Sequence, residues 1–210
     1  MTLEIRELRK RLGKRQVLNG VTLRCAAGEA AIVLGHNGSG KSTLLRLCAG
    51  IIEPDEGAVR IDGYEVGGGG TAARRRLGYV PDNTDPLPDL LVAELCALTA
   101  SLKQAAAPPQ SLIDELGVTP FFKQRLATLS FGQRKRACLL AALIGQPKLL
   151  ILDEPTNGLD PEGVALIVRL IESRRRDGLA TLLATNDQPF ADALGRTQYQ
   201  LQDGRVRAVG

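Results

Sequence analysis

Hydrophobic and polar positions along the chain predict an α/β protein. Buried parallel strands form short, continuously apolar runs, whereas surface helices repeat their apolar positions about every 3.6 residues. Continuous apolar runs occur at 30–34, 148–152 and 180–185. Helical patterns occur at 43–49, 133–144 and 161–176. Further strand patterns lie at 3–8, 21–25, 58–61 and 76–80, and a hairpin is predicted at 199–206 around Asp203-Gly204.

These elements fall into successive regions of different type. Residues 1–66 are rich in strand patterns, with a turn signal at Asp62-Gly63. From residue 89 to about 144 the pattern is helical, and Pro108-Pro109 interrupts it because proline stops a helix. Strand and helix alternate again after residue 148. We therefore expect a β-rich lobe, a helical lobe and a return to α/β structure.

Residues 35–42 read Gly-His-Asn-Gly-Ser-Gly-Lys-Ser and match the phosphate-loop pattern G-x-x-x-x-G-K-[ST] in full. Glycines let backbone N–H groups converge on phosphate oxygens, the lysine places a cation on the β- and γ-phosphates, and the serine hydroxyl suits Mg²⁺. A glycine-rich turn is the alternative, which a full match between a strand and a helix disfavours. We predict nucleoside triphosphate binding by Gly35, His36, Asn37, Gly38, Ser39, Gly40, Lys41, Ser42 and Thr43.

Two adjacent acids follow the apolar run at 148–152. Asp153 and Glu154 would lie at the carboxyl end of a parallel strand, where ligands of open α/β sheets bind. Asp153 suits an indirect role at Mg²⁺, and Glu154 suits a general base that polarises an attacking water. Taken alone, the pair could equally begin a turn. Together with the phosphate loop, which offers Ser42 to the metal, it favours a catalytic site.

Leu129-Ser130-Phe131-Gly132-Gln133 opens the helical pattern that ends at residue 144. Ser130 is a natural N-cap, so free N–H groups and the positive end of the helix dipole are available to an anion. The segment resembles the signature loop of the ATP-binding cassette (ABC) ATPases, and residues 155–160 resemble their D-loop. Phosphate loop, signature, acidic strand and D-loop occur in the order of that family and cover nearly the whole chain.

The resemblance implies an α/β fold, a P-loop NTPase of the ABC type. One domain over 1–210 would contain a mostly parallel sheet core, an antiparallel β lobe and a helical lobe at about 83–146. The implied activity is ATP hydrolysis with Mg²⁺ that powers a transporter, whose membrane-spanning subunit is a separate chain coupled near residues 82–94. Two cassettes would close head to tail over two ATP molecules. The implied nucleotide contacts across this dimer come from Ser130, Gly132, Gln133 and Asp160.

Several positions depart from the family pattern. Leu12 takes the best-aligned place of an aromatic ring that stacks on adenine, which would loosen discrimination between ATP and GTP. Phe131 replaces a signature glycine, and we expect the signature to tolerate it. Asp82 replaces a glutamine that senses Mg²⁺ and the attacking water, and a carboxylate can serve Mg²⁺ through a water. Asn186 replaces a histidine that contacts the γ-phosphate, and it can donate a hydrogen bond but carries no charge.

These departures keep alternative functions open. Asp82 and Asn186 are expected catalytic positions, and their identities are compatible with a weakly hydrolysing cassette that regulates a competent partner. A non-transport ABC switch is the other alternative. Such relatives carry a long coiled-coil insertion or a second cassette, and the segment between Lys41 and Ser130 contains neither.

Charge adds little to this picture. The formal charge is +4 and the pI is near 9.0, with basic runs at 74–76, 134–136 and 174–176. Nucleic-acid binding is one interpretation of these runs, and solvated helix faces are the other. Aromatic content is 3%, which gives no stacking platform beside the charges. We interpret the runs as solvated faces and expect no specific nucleic-acid partner.

Cys25, Cys48, Cys96 and Cys138 are scattered without C-x-x-C spacing, which indicates reduced core residues. No apolar run approaches the roughly 18–20 residues of a membrane span, and the N-terminus has no signal-peptide profile. We expect a cytoplasmic protein that reaches the inner face of the cell membrane through its partner.

Overall fold

The computed structural model of the protein describes residues 2–68, 70–83, 87–194 and 197–209. Its strands are β1 (Leu3–Leu12), β2 (Arg15–Cys25), β3 (Ala30–Leu34), β4 (Glu56–Ile61), β5 (Tyr64–Glu65), β6 (Leu77–Val80), β7 (Leu149–Asp153), β8 (Ala180–Thr185), β9 (Thr197–Gln202) and β10 (Arg205–Val209). Its α-helices are α1 (Lys41–Cys48), α2 (Thr71–Arg75), α3 (Val92–Lys103), α4 (Gln110–Glu115), α5 (Phe131–Leu143), α6 (Pro161–Arg176) and α7 (Gln188–Leu194). Short 3₁₀ turns lie at Thr119–Phe121 and Leu126–Thr128.

The larger sheet has the strand order β10-β9-β3-β8-β7-β6, and its pairs are parallel except for β10 with β9. Leu34 of β3 is paired with Thr185 of β8, and Asp153 of β7 is paired with Ala184. The carboxyl ends of β3, β7 and β8 therefore meet at one edge of the sheet. The segments that follow these strands carry the phosphate loop, Glu154 and Asn186.

The smaller sheet is antiparallel, with the order β2-β1-β4-β5. β1 and β2 extend four to six residues beyond the predicted strands, to Leu12 and from Arg15. The added residues pair as a ribbon. Arg11, Leu12, Arg15 and Gln16 are exposed, whereas the adjacent Val17 and Leu18 are both buried, so no alternation of apolar and polar positions marked the ribbon in the sequence. The ribbon places the β1–β2 turn beside the phosphate loop, where the Arg15 guanidinium donates to the Gly38 carbonyl at 2.9 Å.

Buried side chains form two clusters. One lies between the larger sheet and helices α3, α5, α6 and α7, and the other joins the β lobe to α1 and the opposite side of the sheet. The cysteines are all buried, as predicted for core residues, and burial raises the pKa of Cys25 to about 12 and that of Cys96 to about 11. In the described ranges no helix is long and apolar enough to cross a membrane.

The helical segment follows the predicted pattern in outline. α3 ends at Lys103 and α4 begins at Gln110, so the helices are interrupted on either side of Pro108-Pro109 as expected. The sequence patterns did not predict the short helices α2 and α7. Part of the predicted coupling segment at 82–94, residues 84–86, lies outside the described residues.

Candidate active site

The phosphate loop joins β3 to α1 in a conformation that demands glycine. Gly40 has a φ of 109°, and a Cβ placed there would lie 2.9 Å from Val17 Cγ1. A Cβ on Gly35 would lie 2.6 Å from Ser39 Oγ. These approaches fix a tight curve, which in such loops directs backbone N–H groups toward an anion. His36, Asn37 and Gly38 lie exposed at the tip, and Ser42 and Thr43 lie in the first turn of α1.

Lys41 is nine-tenths buried beneath this loop, with 5% of its surface exposed. Its ammonium group donates to the carbonyl of Gly35 at 2.7 Å and to that of His36 at 3.3 Å. It also lies 3.1 Å from the Glu154 carboxylate, itself buried. The cation predicted to bind phosphate and the acid predicted to activate water are therefore adjacent.

Two features of the loop fit a magnesium nucleotide. The Ser39 hydroxyl is buried and finds no hydrogen-bond partner within the described part of the chain, so it can donate a hydrogen bond to a phosphate oxygen of the loop's ligand. The Ser42 hydroxyl donates to the Asp153 carboxylate at 3.2 Å, which pairs the hard oxygen atoms that Mg²⁺ prefers. Burial raises the pKa of Asp153, and the Ser42 hydrogen bond lowers it. A cation beside Asp153 would favour its ionised form.

Glu154 has an unusual backbone at the end of β7. Its φ of 43° is in the left-handed region, which non-glycine residues rarely adopt and which clusters at functional sites. Its backbone N–H donates to the Ala184 carbonyl at 2.9 Å, and its own carbonyl accepts from the Lys135 ammonium at 3.1 Å. The backbone is thus held on both sides, and the carboxylate is directed toward Lys41.

Asn186 follows β8 and contacts two predicted site residues. Its backbone N–H donates to Glu154 Oε2 at 3.2 Å, and its side-chain amide donates to Asn37 Oδ1 at 3.4 Å. Asn186 is exposed and lies between the general-base candidate and the phosphate loop. An amide there can hydrogen-bond but cannot exchange a proton at neutral pH.

Asp82 lies beyond the end of β6, opposite the D-loop. Its carboxylate accepts a hydrogen bond from the Asn157 side-chain amide at 3.0 Å. Asp82 also acts electrostatically on Asp153, whose pKa it helps to raise, and on Lys135. Its charge therefore reaches the predicted metal ligand, whereas its hydrogen bond goes to a residue that the sequence did not single out.

The signature residues begin α5 with a reciprocal cap. The Ser130 hydroxyl accepts from the Gln133 backbone N–H at 3.3 Å, and the Gln133 side chain accepts from the Ser130 N–H at 2.9 Å. Gly132 lies next to Leu159 of the D-loop. Among the described residues these side chains make no hydrogen bond to the phosphate loop of their own chain. The signature residues and the phosphate loop of one chain are therefore not linked by such a bond.

Other predicted positions have contacts of their own. The Asp160 carboxylate caps α6 by accepting from the Gly163 N–H at 2.7 Å, a stabilising role that the resemblance did not include. Phe131 lies against Gly158, since a Cβ on that glycine would come 2.8 Å from the ring. Leu12 is 50% exposed at the end of β1.

One sequence interpretation is wrong. The run at 134–136 was interpreted as a solvated helix face, but Lys135 is 1% exposed and its ammonium lies against Glu154. Burial lowers the pKa of Lys135, while the nearby carboxylates of Asp82, Asp153 and Glu154 raise it. Helical position distinguishes the three cations, because Lys135 shares the inward face of α5 with Cys138 and Leu139, whereas Arg134 and Arg136 are only partly buried.

Comparison with known proteins identifies the family of this chain. The family model described as ABC transporter matches residues 18–157. The chain is 34% identical over 217 residues to Nod factor export ATP-binding protein I of Paraburkholderia xenovorans, covering 99% of this chain and 70% of that protein. A solved ATP binding subunit of an ABC transporter superposes with a TM-score of 0.93 at 28% identity, covering 100% of this chain and 90% of the other. A dimeric ATP-binding cassette in a post-hydrolysis state, bound to ADP and Pi, superposes with a TM-score of 0.84 at 26% identity, covering 99% and 97%.

The chain therefore belongs to the ABC transporter family, as an ATP-binding and ATP-hydrolysing subunit. The predicted fold is confirmed as well: a mostly parallel sheet, an antiparallel β lobe and packed helices form an ABC ATPase cassette.

Proposed function

We propose that the chain is the motor of a membrane transporter whose membrane-spanning subunit is a separate chain. The buried contact between Lys41 and Glu154, beside the Ser42–Asp153 pair, carries the proposal. It brings a phosphate-binding cation, a metal-ligating pair and a water-activating acid to one sheet edge. An arrangement of this kind serves phosphoryl transfer to water, in which positioning and electrostatics supply most of the catalysis.

Each residue of the phosphate site has a role in this proposal. The loop from Gly35 to Thr43 surrounds the β- and γ-phosphates, and Lys41 binds them as a cation. Ser42, Asp153 and Asp82 would hold Mg²⁺, with Asp153 and Asp82 in indirect roles. When bound, Mg²⁺ neutralises charge on the phosphate oxygens. These roles are consistent with the hard oxygen atoms present and with the unpartnered Ser39 hydroxyl.

Hydrolysis needs a water aligned with the γ-phosphate. Glu154 accepts a proton from that water, and its position beside Lys41 supports this role. Asn186 orients the same carboxylate through its backbone N–H and holds Asn37 through its side chain. Asn186 supplies hydrogen bonds only, so we expect slow turnover. The nucleotide base would lie near Leu12, where the exposed side chain offers apolar contact without stacking.

A second cassette completes each site. Within the described residues, Ser130, Gly132 and Gln133 make no side-chain hydrogen bond to the phosphate loop of their own chain, which supports a contact with the nucleotide bound by the other chain. Asp160 caps α6 and would hold the D-loop at this interface. The second cassette is another copy or a related chain. ATP closes the pair because its γ-phosphate carries the charge that the start of α5 attracts, and hydrolysis releases it.

The membrane-spanning partner docks in a groove of about 640 Å³ between α2, β6 and the helices α3 and α5. Tyr79, Leu95 and Ala141 line its floor, and Leu102 at its edge is 70% exposed. Arg74 and Arg75 are exposed along the rim and make no salt bridge within the described residues. An apolar floor beside two free cations fits a short amphipathic helix that carries Asp or Glu. Through it the chain would be held at the cytoplasmic face of the membrane.

A regulatory cassette remains the second candidate, because Asn186 replaces an ionisable partner of Glu154. ATP turnover of the purified chain, alone and with native-host membranes that contain its partner, separates the two. A motor gains turnover when the partner is present and drives transport with its own Glu154. A chain whose Glu154→Gln variant supports full transport would be a regulator. Loss of membrane retention in Leu102→Glu and Arg75→Glu, with Lys123→Glu as an exposed control outside the groove, tests the docking surface.

A further inference from the structure

Lys135 is a buried cation that the family activity does not account for. Its side chain is 1% exposed, and a lysine at such a position loses most of its hydration. The ammonium donates to the carbonyl of Glu154 at 3.1 Å and lies 5.6 Å from the centre of the Phe131 ring. Its hydrogen bond therefore goes to the backbone of the residue proposed as the general base.

That carbonyl belongs to a strained backbone. Glu154 has a φ of 43°, and conformations of this kind persist only where surrounding contacts hold them. The N–H side is held by the Ala184 carbonyl, and the carbonyl side by Lys135. Because both the N–H and the carbonyl of Glu154 are held, the direction of its side chain is fixed. Its carboxylate lies 3.1 Å from the Lys41 ammonium.

The ammonium of Lys135 lies among acids. Burial lowers its pKa, while the carboxylates of Asp82, Asp153 and Glu154 favour its charged form. The hydrogen bond to the Glu154 carbonyl is the contact through which Lys135 acts on the candidate base.

We propose that Lys135 is a positioning residue for the general base. The proposal rests on the proposed function, in which Glu154 activates the attacking water. Lys135 holds the Glu154 backbone from α5, so the helix that starts with Ser130 also sets the alignment of the base in its own chain.

The test compares Lys135→Met, Lys135→Arg and the control Lys123→Met, a lysine exposed on the surface. Removing one member of a group of buried charges usually destabilises a protein, so thermal unfolding of each variant must be recorded beside its kinetics. We expect Lys135→Met to lower kcat by about 10- to 100-fold, as loss of alignment does, while the Kd for Mg-ATP changes by less than about threefold. Lys135→Arg retains the charge and a donor and restores part of kcat. Lys123→Met behaves as wild type.

A Lys135→Met chain with wild-type kcat, or one whose kcat and ATP affinity fall together with its thermal stability, would overturn the positioning role.

A second measurement does not depend on turnover. Amide hydrogen exchange of the peptide that contains Glu154 and Asn157 should become faster in Lys135→Met and remain slow in Lys123→Met, because the backbone loses its anchor. Unchanged exchange would contradict the proposal. A wild-type chain with no ATPase activity under any condition, but with the expected exchange difference, would instead contradict the proposed function and leave the contact itself supported.

Discussion

The Lys41 ammonium lies 3.1 Å from the Glu154 carboxylate, and both side chains are buried. Lys41 begins α1 after strand β3, and Glu154 directly follows strand β7 of the same sheet. Their contact depends on the parallel register that aligns the carboxyl ends of those strands. It provides the strongest geometric link between nucleotide binding and hydrolysis in this cassette.

Lys41→Ala should weaken nucleotide binding. We expect the Kd for Mg-ATP to rise about 10-fold or more, because a hydrogen bond to a charged group contributes about 1.5–3 kcal/mol. Fluorescent-nucleotide titration measures this, with Lys123→Ala as the matched control. The variant also leaves Glu154 buried without its cation, so its thermal unfolding must be recorded beside the titration. A folded variant with wild-type affinity would contradict the assignment of the phosphate loop.

Glu154→Gln should stop hydrolysis and retain binding. The glutamine preserves shape and hydrogen bonding but cannot take a proton, and a general base usually contributes about 10²-fold or more to the rate. Phosphate release under saturating Mg-ATP measures the loss. Turnover within about threefold of wild type would rule out Glu154 as the base, since so small an effect is below what general bases contribute.

Asn186→His should accelerate a slow enzyme. An imidazole beside Glu154 would orient the carboxylate and water more firmly, and we expect kcat to rise by about 10-fold, a modest part of what orientation can contribute. The Kd for ATP should change little, because Lys41 and the loop remain. Asn186→Ala serves as the control and should not be faster than wild type. A wild-type rate of several turnovers per second that the histidine does not alter would refute this expectation.

Because Lys103 is partly buried, we expect the stability of the protein to depend on pH. Its ammonium caps the end of α5 by donating to the carbonyls of Ala142 at 3.0 Å and Ile144 at 2.9 Å. Burial lowers its pKa from 10.5 to about 8. Between these values the unfolded chain binds the proton more strongly than the folded chain, so the folded state gains stability as pH rises.

The comparison with Lys103→Met isolates that effect. The free energy of unfolding of wild type relative to the variant should increase from pH 8 to 10.5, and fall to its lower limit below pH 8. Urea unfolding at several pH values measures the difference, and the shared titration of the buried cysteines cancels in it. A difference that does not vary with pH would show that the Lys103 pKa is the same in both states.

Local sequence predicted the parts of the fold that depend on local chemistry. The phosphate loop combines glycines, lysine and serine within one turn, and the apolar runs before Gly35 and Asp153 were sufficient to place β3 and β7. The extension of β1 and β2 was not predictable in this way, since its residues show no alternation of apolar and polar positions and are ordered by pairing with each other.

The sequence did not predict the contacts between residues that meet at the edge of the sheet. Asn157 meets Asp82 only because the segment after β7 turns back toward the end of β6. Lys135 lies between two arginines in the chain, and its burial depends on how α5 packs against β6 and β7. The roles of Asn186, Asp82 and the signature residues stay predictions.

If ATP closes two cassettes over shared sites, the mass of the Glu154→Gln variant in solution must depend on the nucleotide. One wild-type chain has a mass of 22.4 kDa. Light scattering should give twice the mass of one chain for Glu154→Gln with Mg-ATP, and the mass of one chain with Mg-ADP. Adding Ser130→Arg should keep the ATP-bound variant monomeric, because the arginine blocks the start of α5. The same mass with ATP and with ADP would contradict ATP-driven closure.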